Sequence, residues 1–546
     1  MRLASFYCAA LFAAGCSFQV DGIDETISPS IDLAHPRPDF TAIDNPEVGP
    51  GDVDLTMIGP ESDLPPPPDL IMPVTLPDLT VPVTPPDLTV PVTPPDLVAL
   101  AAPVLTSIAP TIGSIAGGTS VTLSGANFRA GATVTVGGAP ATVGVTTATS
   151  ITITTPAGKA GSASVIVTNP DKQASAGVPF HYELTTLSFA ATAVTVGGNP
   201  EGLAAGLLKG DAAPDLVAVG GFSLNILTND GKGTFTNATQ GTMNGAAIDV
   251  AITDVNGDAA NDIVLGHTNI GGGMGGVSAF LFQSGPKTFT AGAAVASGPS
   301  VNALALADLV TPGARHDVVT VVNPGTAEVT SLALAGGAYT SKSMQPVKAD
   351  PRKIAAADFD GDGKTDVVVT EATSSSVSIL PGTGGGALGA AVHVALAGGH
   401  QPVGVAVGNF NGDSKPDLAL CLTDSNQILF LFNTSTPGSV SFSAMTATAA
   451  VGTYPIGVAV GDFNLDGNTD VVVANRGGIA NVQGSVSVLL LDGMTAALLG
   501  SRVDTNVGNN PEGIVAADFN GDGKLDWAVA NYGSGSVSVG LNTAAQ

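Results

Sequence analysis

Four acidic side chains in the segment 358–366 are spaced closely enough to bind one cation. Asp358, Asp360, Asp362 and Asp366 stand at positions 1, 3, 5 and 9 of the segment, and glycines at positions 4 and 6 let the backbone curl between them. Carboxylates this close repel one another when nothing lies between them. Ca²⁺ accepts several oxygen ligands at about 2.3–2.6 Å in a flexible geometry. We therefore predict a calcium-binding loop here.

The residues on either side of this loop favour β-strands. Ile354-Ala-Ala-Ala precedes the loop and Val367-Val-Val-Thr follows it, and short apolar runs between turn residues are typical of buried strands. The acidic start of the loop resembles that of an EF-hand, but an EF-hand has flanking helices and a glutamate at position 12, where this chain has Val369. The segment is therefore interpreted as a calcium loop that joins two β-strands.

The loop recurs along the C-terminal part of the chain. It has near copies at 462–470 and 518–526, looser copies at 409–417 and 254–262, and degenerate copies at 207–215 and 308–317. The seven copies begin 47 to 56 residues apart. A β-rich period of this size indicates a propeller with one blade per repeat. We predict an all-β protein whose residues 187–546 form a seven-bladed β-propeller.

The ends of the repeat region predict how the ring closes. Each unit reads as four strands, with the loop between the first and second, and Ser441-Phe-Ser-Ala-Met445 is a candidate fourth strand. The last unit stops after its third strand, near Leu541, whereas an extra strand-like segment, Leu187-Ser-Phe-Ala-Ala-Thr, precedes the first unit. We expect this N-terminal segment to complete the last blade, because closure removes exposed sheet edges.

The repeats resemble the FG-GAP/VCBS family, which includes the propeller heads of integrin α subunits. The resemblance implies structural Ca²⁺ at about five loops, bound by the side chains at positions 1, 3, 5 and 9 and the carbonyl at position 7. The implied ligands are Asp254, Asn256, Asp258, Ala260 and Asp262; Asp358, Asp360, Asp362, Lys364 and Asp366; Asn409, Asn411, Asp413, Lys415 and Asp417; Asp462, Asn464, Asp466, Asn468 and Asp470; and Asp518, Asn520, Asp522, Lys524 and Asp526. The two degenerate units depart from the pattern, so no strong metal site is expected there, and Lys209 is a candidate to fill one of them with its own charge.

The composition fits this interpretation. The formal net charge is −28, although only 12% of the residues are charged, and much of the acidity falls in the loops. An acidic balance argues against binding to nucleic acid, which needs basic patches. Abundant glycine and few long charged residues are typical of an all-β extracellular protein.

The N-terminus predicts secretion and a lipid anchor. Residues 1–15 have a charged start and a short apolar run, as in a signal peptide, and Ala13-Ala-Gly-Cys16 resembles the lipobox of bacterial lipoproteins. The resemblance implies lipidation of Cys16 and attachment to the outer membrane, facing the exterior or the periplasm; the alternative is an ordinary signal peptide with an incidental cysteine. Cys421 then stands alone, and its strand-like surroundings favour a buried, unreactive thiol.

Residues 16–102 are predicted to be a disordered acidic stalk. From Pro65 a nine-residue unit carrying Pro-Asp-Leu repeats, and proline at this density favours extended polyproline II. A stiff spacer above a lipid anchor is the favoured interpretation; a ligand for a proline-recognising partner is the alternative.

Residues 103–183 show short alternating apolar runs typical of a small β-sandwich. The segments Pro103-Val-Leu-Thr-Ser-Ile-Ala-Pro, Gly117-Gly-Thr-Ser-Val-Thr-Leu-Ser-Gly-Ala-Asn-Phe128 and Val165-Ile-Val-Thr-Asn-Pro170 resemble IPT/TIG immunoglobulin-like domains. The resemblance implies a rigid spacer.

The side of the propeller opposite the loops is predicted to bind a ligand, because its turns vary most and variable loops on a rigid scaffold often carry binding residues. The candidates are His267, Arg352, His400, Tyr454, Arg476 and Tyr532. We expect a surface protein or a glycan as the partner, and a role in binding or adhesion. No nucleophile, zinc or phosphate motif supports catalysis; the alternatives are a carbohydrate-binding protein and a polysaccharide-active enzyme, since propellers also occur in enzymes.

Overall fold

A computed structural model of the chain describes residues 100–184, 186–208, 212–269, 275–283, 288–298, 300–309, 317–322, 325–335, 338–443, 447–499 and 502–544. The predicted signal peptide, the lipidated Cys16 and the stalk up to residue 99 lie outside these residues. Lys209, and the insertion expected in the degenerate unit at 308–317, also lie outside them.

The described residues are β-strands, turns and one 3-10 turn at Tyr532–Ser534. Within this part of the chain no helix is long and apolar enough to cross a membrane. The prediction of an all-β protein is confirmed for these residues.

The segment from Val104 to Glu183 forms two packed sheets. One sheet has the strand order β1-β3-β7-β6 and the other β2-β9-β8-β4-β5. The strands are β1 (Val104–Ala109), β2 (Ile112–Ser114), β3 (Ser120–Ala126), β4 (Thr133–Val136), β5 (Ala139–Pro140), β6 (Thr142–Thr146), β7 (Ser150–Thr154), β8 (Gly161–Thr168) and β9 (Val178–Glu183). The alternating apolar residues Val121 and Leu123 of β3 and Ile151 and Ile153 of β7 are buried in one core with Phe180 and Tyr182.

The repeats form sheets whose strands follow one another in chain order. A six-stranded sheet contains β11 (Gly202–Gly206), β12 (Asp215–Asn229), β13 (Phe235–Thr253), β14 (Asp262–Asn269), β15 (Gly275–Gln283) and β16 (Thr288–Gly298). In this sheet β13 pairs with β12 through its first part and with β14 through its last part. It is therefore the outer strand of one repeat and the inner strand of the next.

The remaining repeats are four-stranded antiparallel sheets. They consist of β17 (Val301–Ala307), β18 (Asp317–Val322), β19 (Glu328–Ala335) and β20 (Ala338–Pro346); β21 (Pro351–Ala357), β22 (Asp366–Glu371), β23 (Ser376–Leu380) and β26 (Val392–Ala395); β27 (Pro402–Gly408), β28 (Asp417–Leu422), β29 (Gln427–Leu431) and β30 (Ala447–Ala450); and β31 (Pro455–Gly461), β32 (Asp470–Asn475), β33 (Gln483–Leu489) and β34 (Val503–Asn509). A small hairpin, β24 (Gly382–Gly384) and β25 (Ala387–Leu388), follows β23.

The last sheet combines both ends of the repeat region. Its order is β10 (Phe189–Thr195), β37 (Ser536–Asn542), β36 (Asp526–Asn531) and β35 (Pro511–Ala517). The pairing runs from Phe189 opposite Asn542 to Thr195 opposite Ser536. The prediction that an N-terminal segment supplies the missing fourth strand of the last unit is confirmed.

The innermost strands surround one central cavity. β11, β13, β17, β21, β27, β31 and β35 each contact the next, and β35 contacts β11. Each contributes three consecutive residues, mostly alanine, valine, leucine or isoleucine, to a cavity of about 260 Å³. The second strands of the units are buried along their whole length, as in β28 and β32, since neighbouring sheets cover both of their faces. This explains their continuous apolar runs.

One predicted strand was misplaced. The fourth strand expected at 441–445 is instead β30, and Phe442 forms an isolated bridge with Asn433. Ser441 belongs to a compact turn region that follows β29. In this region Thr434 N donates to the Ser441 carbonyl, and Gly438 has a φ of 76°. The hydrogen bonds of this region occupy residues 441–443, whereas residues 444 and 445 of the predicted strand lie outside the described residues.

Candidate functional site

Five loops with aspartate or asparagine at positions 1, 3, 5 and 9 leave the C-terminal ends of innermost strands. They follow β13, β21, β27, β31 and β35, and their ninth residue is the first residue of the next strand. The structure therefore places them between first and second strands, as the sequence predicted. Neighbouring units bond to one another at this level: Asn261 Nδ2 donates to the Leu207 carbonyl at 3.0 Å and Gly386 N to the Leu309 carbonyl at 2.9 Å. We call this side of the ring the loop face.

The loop at 358–366 brings its carboxylates together. Oxygen atoms of Asp358, Asp360 and Asp366 lie within 4.8 Å of one another. The backbone holds them there: Gly361 N donates to Asp358 Oδ1 at 2.7 Å, and Gly363 N donates to Asp358 Oδ2 at 2.9 Å. Both glycines have positive φ, 70° and 82°, which only glycine adopts without strain. Converging, preorganised oxygen donors fit a hard cation such as Ca²⁺.

The other four loops are wrapped in the same way. The backbone amide at position 4 or 6 donates to the side chain at position 1, the amide at position 5 to the side chain at position 3, and the amide at position 7 to the carboxylate at position 5. Measured in that order, these bonds are 2.6, 2.8 and 2.9 Å in the Asp254 loop, 2.8, 3.0 and 2.9 Å in the Asn409 loop, 2.9, 3.1 and 2.8 Å in the Asp462 loop, and 2.7, 2.9 and 3.0 Å in the Asp518 loop.

Position 3 distinguishes these four loops from the first. It is asparagine in each of them, and its Nδ2 donates to the carboxylate at position 5, at 3.1 Å in the Asn411–Asp413 pair. The amide oxygen keeps an oxygen donor at the position with one charge fewer. In the 358–366 loop the Asp362 carboxylate is paired instead with the ammonium group of Lys364.

The aspartate at position 9 also accepts two backbone hydrogen bonds that the sequence did not predict. Asp366 is fully buried, and its two oxygens accept from Phe359 N at 2.9 Å and Gly382 N at 2.8 Å. It thus connects the loop to Gly382, two residues after the end of β23. Asp262, Asp417, Asp470 and Asp526 make the corresponding pair of bonds.

Burial makes these carboxylates costly to ionise without a cation. Burial, and to a smaller extent the neighbouring carboxylates, raises the pKa of Asp366 to about 6 and that of Asp526 to about 7, although backbone hydrogen bonds oppose the shift. The pKa of Asp462 is raised to about 6 by burial, and that of Asp470 lies well above its ordinary value for the same reason. A bound cation would offset both burial and repulsion.

Sequence reasoning also missed an asparagine at the end of three third strands. Nδ2 of Asn229, Asn433 and Asn542 donates to the carbonyl of the phenylalanine at loop position 2 in the preceding unit, at 2.8, 2.8 and 3.1 Å. The only signal in the sequence is spacing, since Asn433 and Asn542 each stand 16 residues after a position 9 aspartate.

The degenerate first unit keeps the hydrogen bond between its position 9 aspartate and the end of β12, although it lacks the full set of calcium ligands. Asp215 is fully buried and its Oδ1 accepts from Asn229 N at 2.8 Å. Asp215 therefore serves the strand connection in a unit whose only other acidic residue at a ligand position is Asp211.

The opposite side of the ring carries a charged group near the axis. Arg476 Nε lies 3.2 Å from Glu512 Oε1, and Lys353 Nζ lies 3.8 Å from Asp249 Oδ2. Glu201 interacts electrostatically with both cations. Burial raises the pKa of Glu512 to about 7, although Arg476 and Lys353 oppose the shift. We call these five residues the axial cluster.

Five predicted ligand residues lie on this side with varied environments. Arg352 is exposed and paired with Asp350 at 2.8 Å, and His400 Nδ1 lies 3.1 Å from Asp424 Oδ2. Tyr454, with a φ of 61°, donates its backbone N–H to Asn426 Oδ1 at 2.8 Å. Arg476 belongs to the axial cluster, and Tyr532 begins the 3-10 turn.

His267 was wrongly placed on the exposed side. Only 3% of it is accessible, and its Nε2 lies 2.6 Å from Ser278 Oγ. The reason is that β14 continues through Asn269 and pairs with β15 at this point, so the residue belongs to a strand interior rather than a turn. Burial lowers the pKa of this histidine.

The exposed apolar residues of this side were also missed. Ile479, at the tip of the turn between β32 and β33, is 82% exposed. Asn510 holds that turn, since its Nδ2 donates to the Ala480 carbonyl at 2.7 Å and its backbone N–H to the Val482 carbonyl at 3.0 Å. Val482 in the same turn is 37% exposed, so two apolar side chains of one hydrogen-bonded turn face solvent.

Comparisons with known families find two kinds of module. A model of the IPT/TIG domain matches residues 103–182, and a model of the FG-GAP-like repeat matches residues 358–420, 410–473 and 462–529. The chain therefore contains an IPT/TIG domain and FG-GAP-like repeats. No curated protein is similar enough to count as a match.

Solved structures give only distant likenesses. An auxiliary nutrient binding protein from Bacteroides thetaiotaomicron is 13% identical, with a TM-score of 0.37 over 81% of this chain and 98% of its own. A protein of the same description from Bacteroides ovatus is 15% identical, with a TM-score of 0.38 and the same coverage. The exotype rhamnogalacturonan lyase YesX is 13% identical, with a TM-score of 0.39 over 78% of this chain and 88% of its own. At these TM-scores the likenesses say nothing about ligand or activity.

Proposed function

We propose that this chain, with its IPT/TIG domain and FG-GAP-like repeats, is a cell-surface lipoprotein whose seven-bladed, calcium-stabilised β-propeller binds a surface protein or a glycan. The blade count is supported by the seven innermost strands that line one cavity in a closed succession of contacts. The anchor and the outer-membrane location rest on the sequence around Cys16 and on the proline-rich stalk.

Calcium is proposed as a structural cofactor at about five loops. The support is the set of converging oxygen donors in the 358–366 loop and the shared wrapping of the other four. The groups that would hold it are the side chains at positions 1, 3, 5 and 9 and the backbone carbonyl at position 7. Bound there, the cation supplies positive charge at buried carboxylates and stabilises the turn.

The side opposite the loop face is proposed as the ligand-binding side. The observation that carries this proposal is the exposed Ile479 on a hydrogen-bonded turn in the same unit as Arg476 of the axial cluster. Residues on the loop face are instead engaged in bonds between neighbouring units.

A binding screen against surface proteins and glycans, with calcium and with chelator, tests this proposal. We expect Ile479→Ser to weaken binding of any ligand found, at unchanged melting temperature. Met494→Ser is the matched control, because Met494 is 71% exposed but lies next to the loop at 462–470, where Gly493 approaches Asn468. Equal loss in both variants, or loss in Met494→Ser alone, would place binding elsewhere.

A polysaccharide-active enzyme is the second candidate. The negative charge of Glu201 raises the pKa of Glu512 further, beyond the effect of burial. Carboxyl groups with a raised pKa serve as acids in glycoside hydrolysis. Incubation with a panel of polysaccharides should then release oligosaccharides, and Glu512→Gln should abolish the release. Absence of product from every substrate, or product that persists in Glu512→Gln, rejects this role for the pair.

The anchor has a separate test. Cys16→Ser should move the protein from the detergent phase to the aqueous phase and abolish labelling by a fatty-acid probe. An ordinary signal peptide predicts no labelling in either protein.

A further inference from the structure

The IPT/TIG module and the repeats belong to one compact unit, and they meet at one of the five loops. Leu184, the residue after β9, donates its backbone N–H to the carbonyl of Asn464 at 3.0 Å. Asn464 is position 3 of the loop at 462–470. This loop therefore connects two modules, in addition to connecting β31 with β32.

The loop at 462–470 also lacks the glycine that the other four loops have at position 4. Position 4 is glycine in the other four loops, with φ between 70° and 81° at Gly257, Gly361, Gly412 and Gly521. Here it is Leu465, with a φ of 61°, in the left-handed region that a residue with a Cβ rarely adopts. A local turn requirement does not explain this leucine.

The leucine lies in an apolar cluster at the junction with the IPT/TIG module. Leu465 packs against the apolar cluster that contains Leu184, Leu187 and Phe463, and Ile115 packs against this cluster as well. Ile115 also packs against the core of the IPT/TIG sandwich, so apolar contact runs from one module to the other. The side chain at the left-handed position thus packs against the apolar cluster that Ile115 of the IPT/TIG module also contacts.

The acidic residues of the loop are covered as well. Asp466, at position 5, is only 3% accessible and Asn464 only 1%, whereas the position 5 residues Asp258, Asp362, Asp413 and Asp522 are exposed. Glu183, the last residue of β9, interacts unfavourably with Asp466. The junction therefore brings an acidic side chain from β9 within electrostatic range of Asp466.

We propose that the loop at 462–470 is a calcium-dependent joint, in which one bound divalent cation holds the IPT/TIG module in a fixed orientation on the propeller. The inference rests on the calcium proposed above, but it assigns this loop a role that the other four do not share. The cation neutralises Asp462, Asp466 and Asp470, relieves their repulsion of Glu183, and holds the Asn464 carbonyl and Leu465 in the positions that contact the module.

Distance measurement between the two modules tests the joint in the full chain. Spin labels at Val145→Cys in the IPT/TIG module and Met344→Cys in β20, away from the loop at 462–470, use exposed sites, and Cys421 is buried and should not be labelled. We expect a narrow distance distribution with calcium and a broad one after chelation. The same width in both conditions, with normal calcium stoichiometry, would overturn the joint and leave the proposed calcium sites intact.

Two substitutions at the same loop position provide a matched comparison. Asp466→Asn should broaden the distribution in calcium, whereas Asp522→Asn, in an exposed loop, should leave it narrow. Leu465→Gly should broaden it while the bound calcium is unchanged, because glycine keeps the loop conformation and removes the contact. Equal broadening by Asp466→Asn and Asp522→Asn would overturn the proposal, and a titration that detects no calcium would overturn both this inference and the calcium sites themselves.

Discussion

The side-chain amide nitrogen of Asn433 lies 2.8 Å from the carbonyl oxygen of Phe359, 74 residues earlier in the chain. Asn433 follows the third strand of one repeat, and Phe359 stands at position 2 of the loop in the preceding repeat. The backbone N–H of Asn433 also donates to Asp417 Oδ1 at 2.7 Å. One asparagine therefore joins its own loop aspartate to the loop of the neighbouring unit.

Replacing Asn433 by alanine should destabilise the fold. Asn433 is 2% accessible, so the Phe359 carbonyl would lose a buried donor, at a cost of about 1–3 kcal/mol in the free energy of unfolding. Thr434→Ala, at the exposed next residue, is the control and should change it by less than about 0.5 kcal/mol. Denaturant unfolding measures both; equal effects would show that the bond between units contributes nothing.

Calcium removal should lower the melting temperature, and calorimetric titration should give about five calcium ions per chain. Binding to the folded state alone adds about 2.7 kcal/mol per site when free calcium is 100 times Kd. Asp360→Ala should reduce the stoichiometry by one, because it removes one of the three converging carboxylates. Asp171→Asn, which alters a carboxylate outside the repeats, should leave the stoichiometry unchanged. A melting transition that is identical in chelator would contradict the calcium sites.

The calcium-free protein should become less stable as the pH rises from 5 to 8. The pKa values of Asp366 and Asp526 are raised in the folded state from 3.8 to about 6 and about 7, so the folded state binds protons more tightly than the unfolded state. Their contribution is complete below pH 3.8 and is lost as the pH rises through 6 to 7. Glu512, with a pKa of about 7, adds the same trend.

Calcium should reverse this trend, since protons and the cation compete for the same oxygens. The gain in melting temperature on adding calcium should therefore be larger at pH 8 than at pH 5. A gain that does not depend on pH would mean that the buried aspartates take no part in binding. The Glu512→Gln variant separates the contribution of Glu512 from that of the loop aspartates, because it removes a titrating group on the opposite side of the ring.

Disrupting β10 should open the last sheet. Successive N–H groups of a strand alternate in direction, so proline at both Ala191 and Thr192 removes at least one donor to β37, whichever of them points inward. We expect a lower melting temperature and concentration-dependent aggregation through the uncovered edge of β37. Serine at both positions is the control, and both residues are exposed. Unchanged melting of the proline variant would mean that closure by β10 contributes no stability.

Several features could be derived from the sequence because their causes are local. The loop at 358–366 carries its acidic side chains and both glycines within nine residues, and the strands beside it appear as apolar runs. The closing strand was also predictable, since a unit that lacks its fourth strand at Leu541 and a spare segment at Leu187 fit one another. The closure itself is seen in the pairing of Phe189 with Asn542.

Other features depend on which residues the fold brings together. The burial of His267, the bond from Asn433 to Phe359 and the start of the outer strand at Ala447 all follow from contacts with neighbouring sheets or returns, which leave no periodic signal in a short window. Leu465 shows this most clearly: the other four loops have glycine at its position, and only the structure shows that it packs against the apolar cluster at the junction with the second module. Local spacing determines which atoms can bind a cation. Burial and contacts with distant residues determine which other strands and modules the same loop connects.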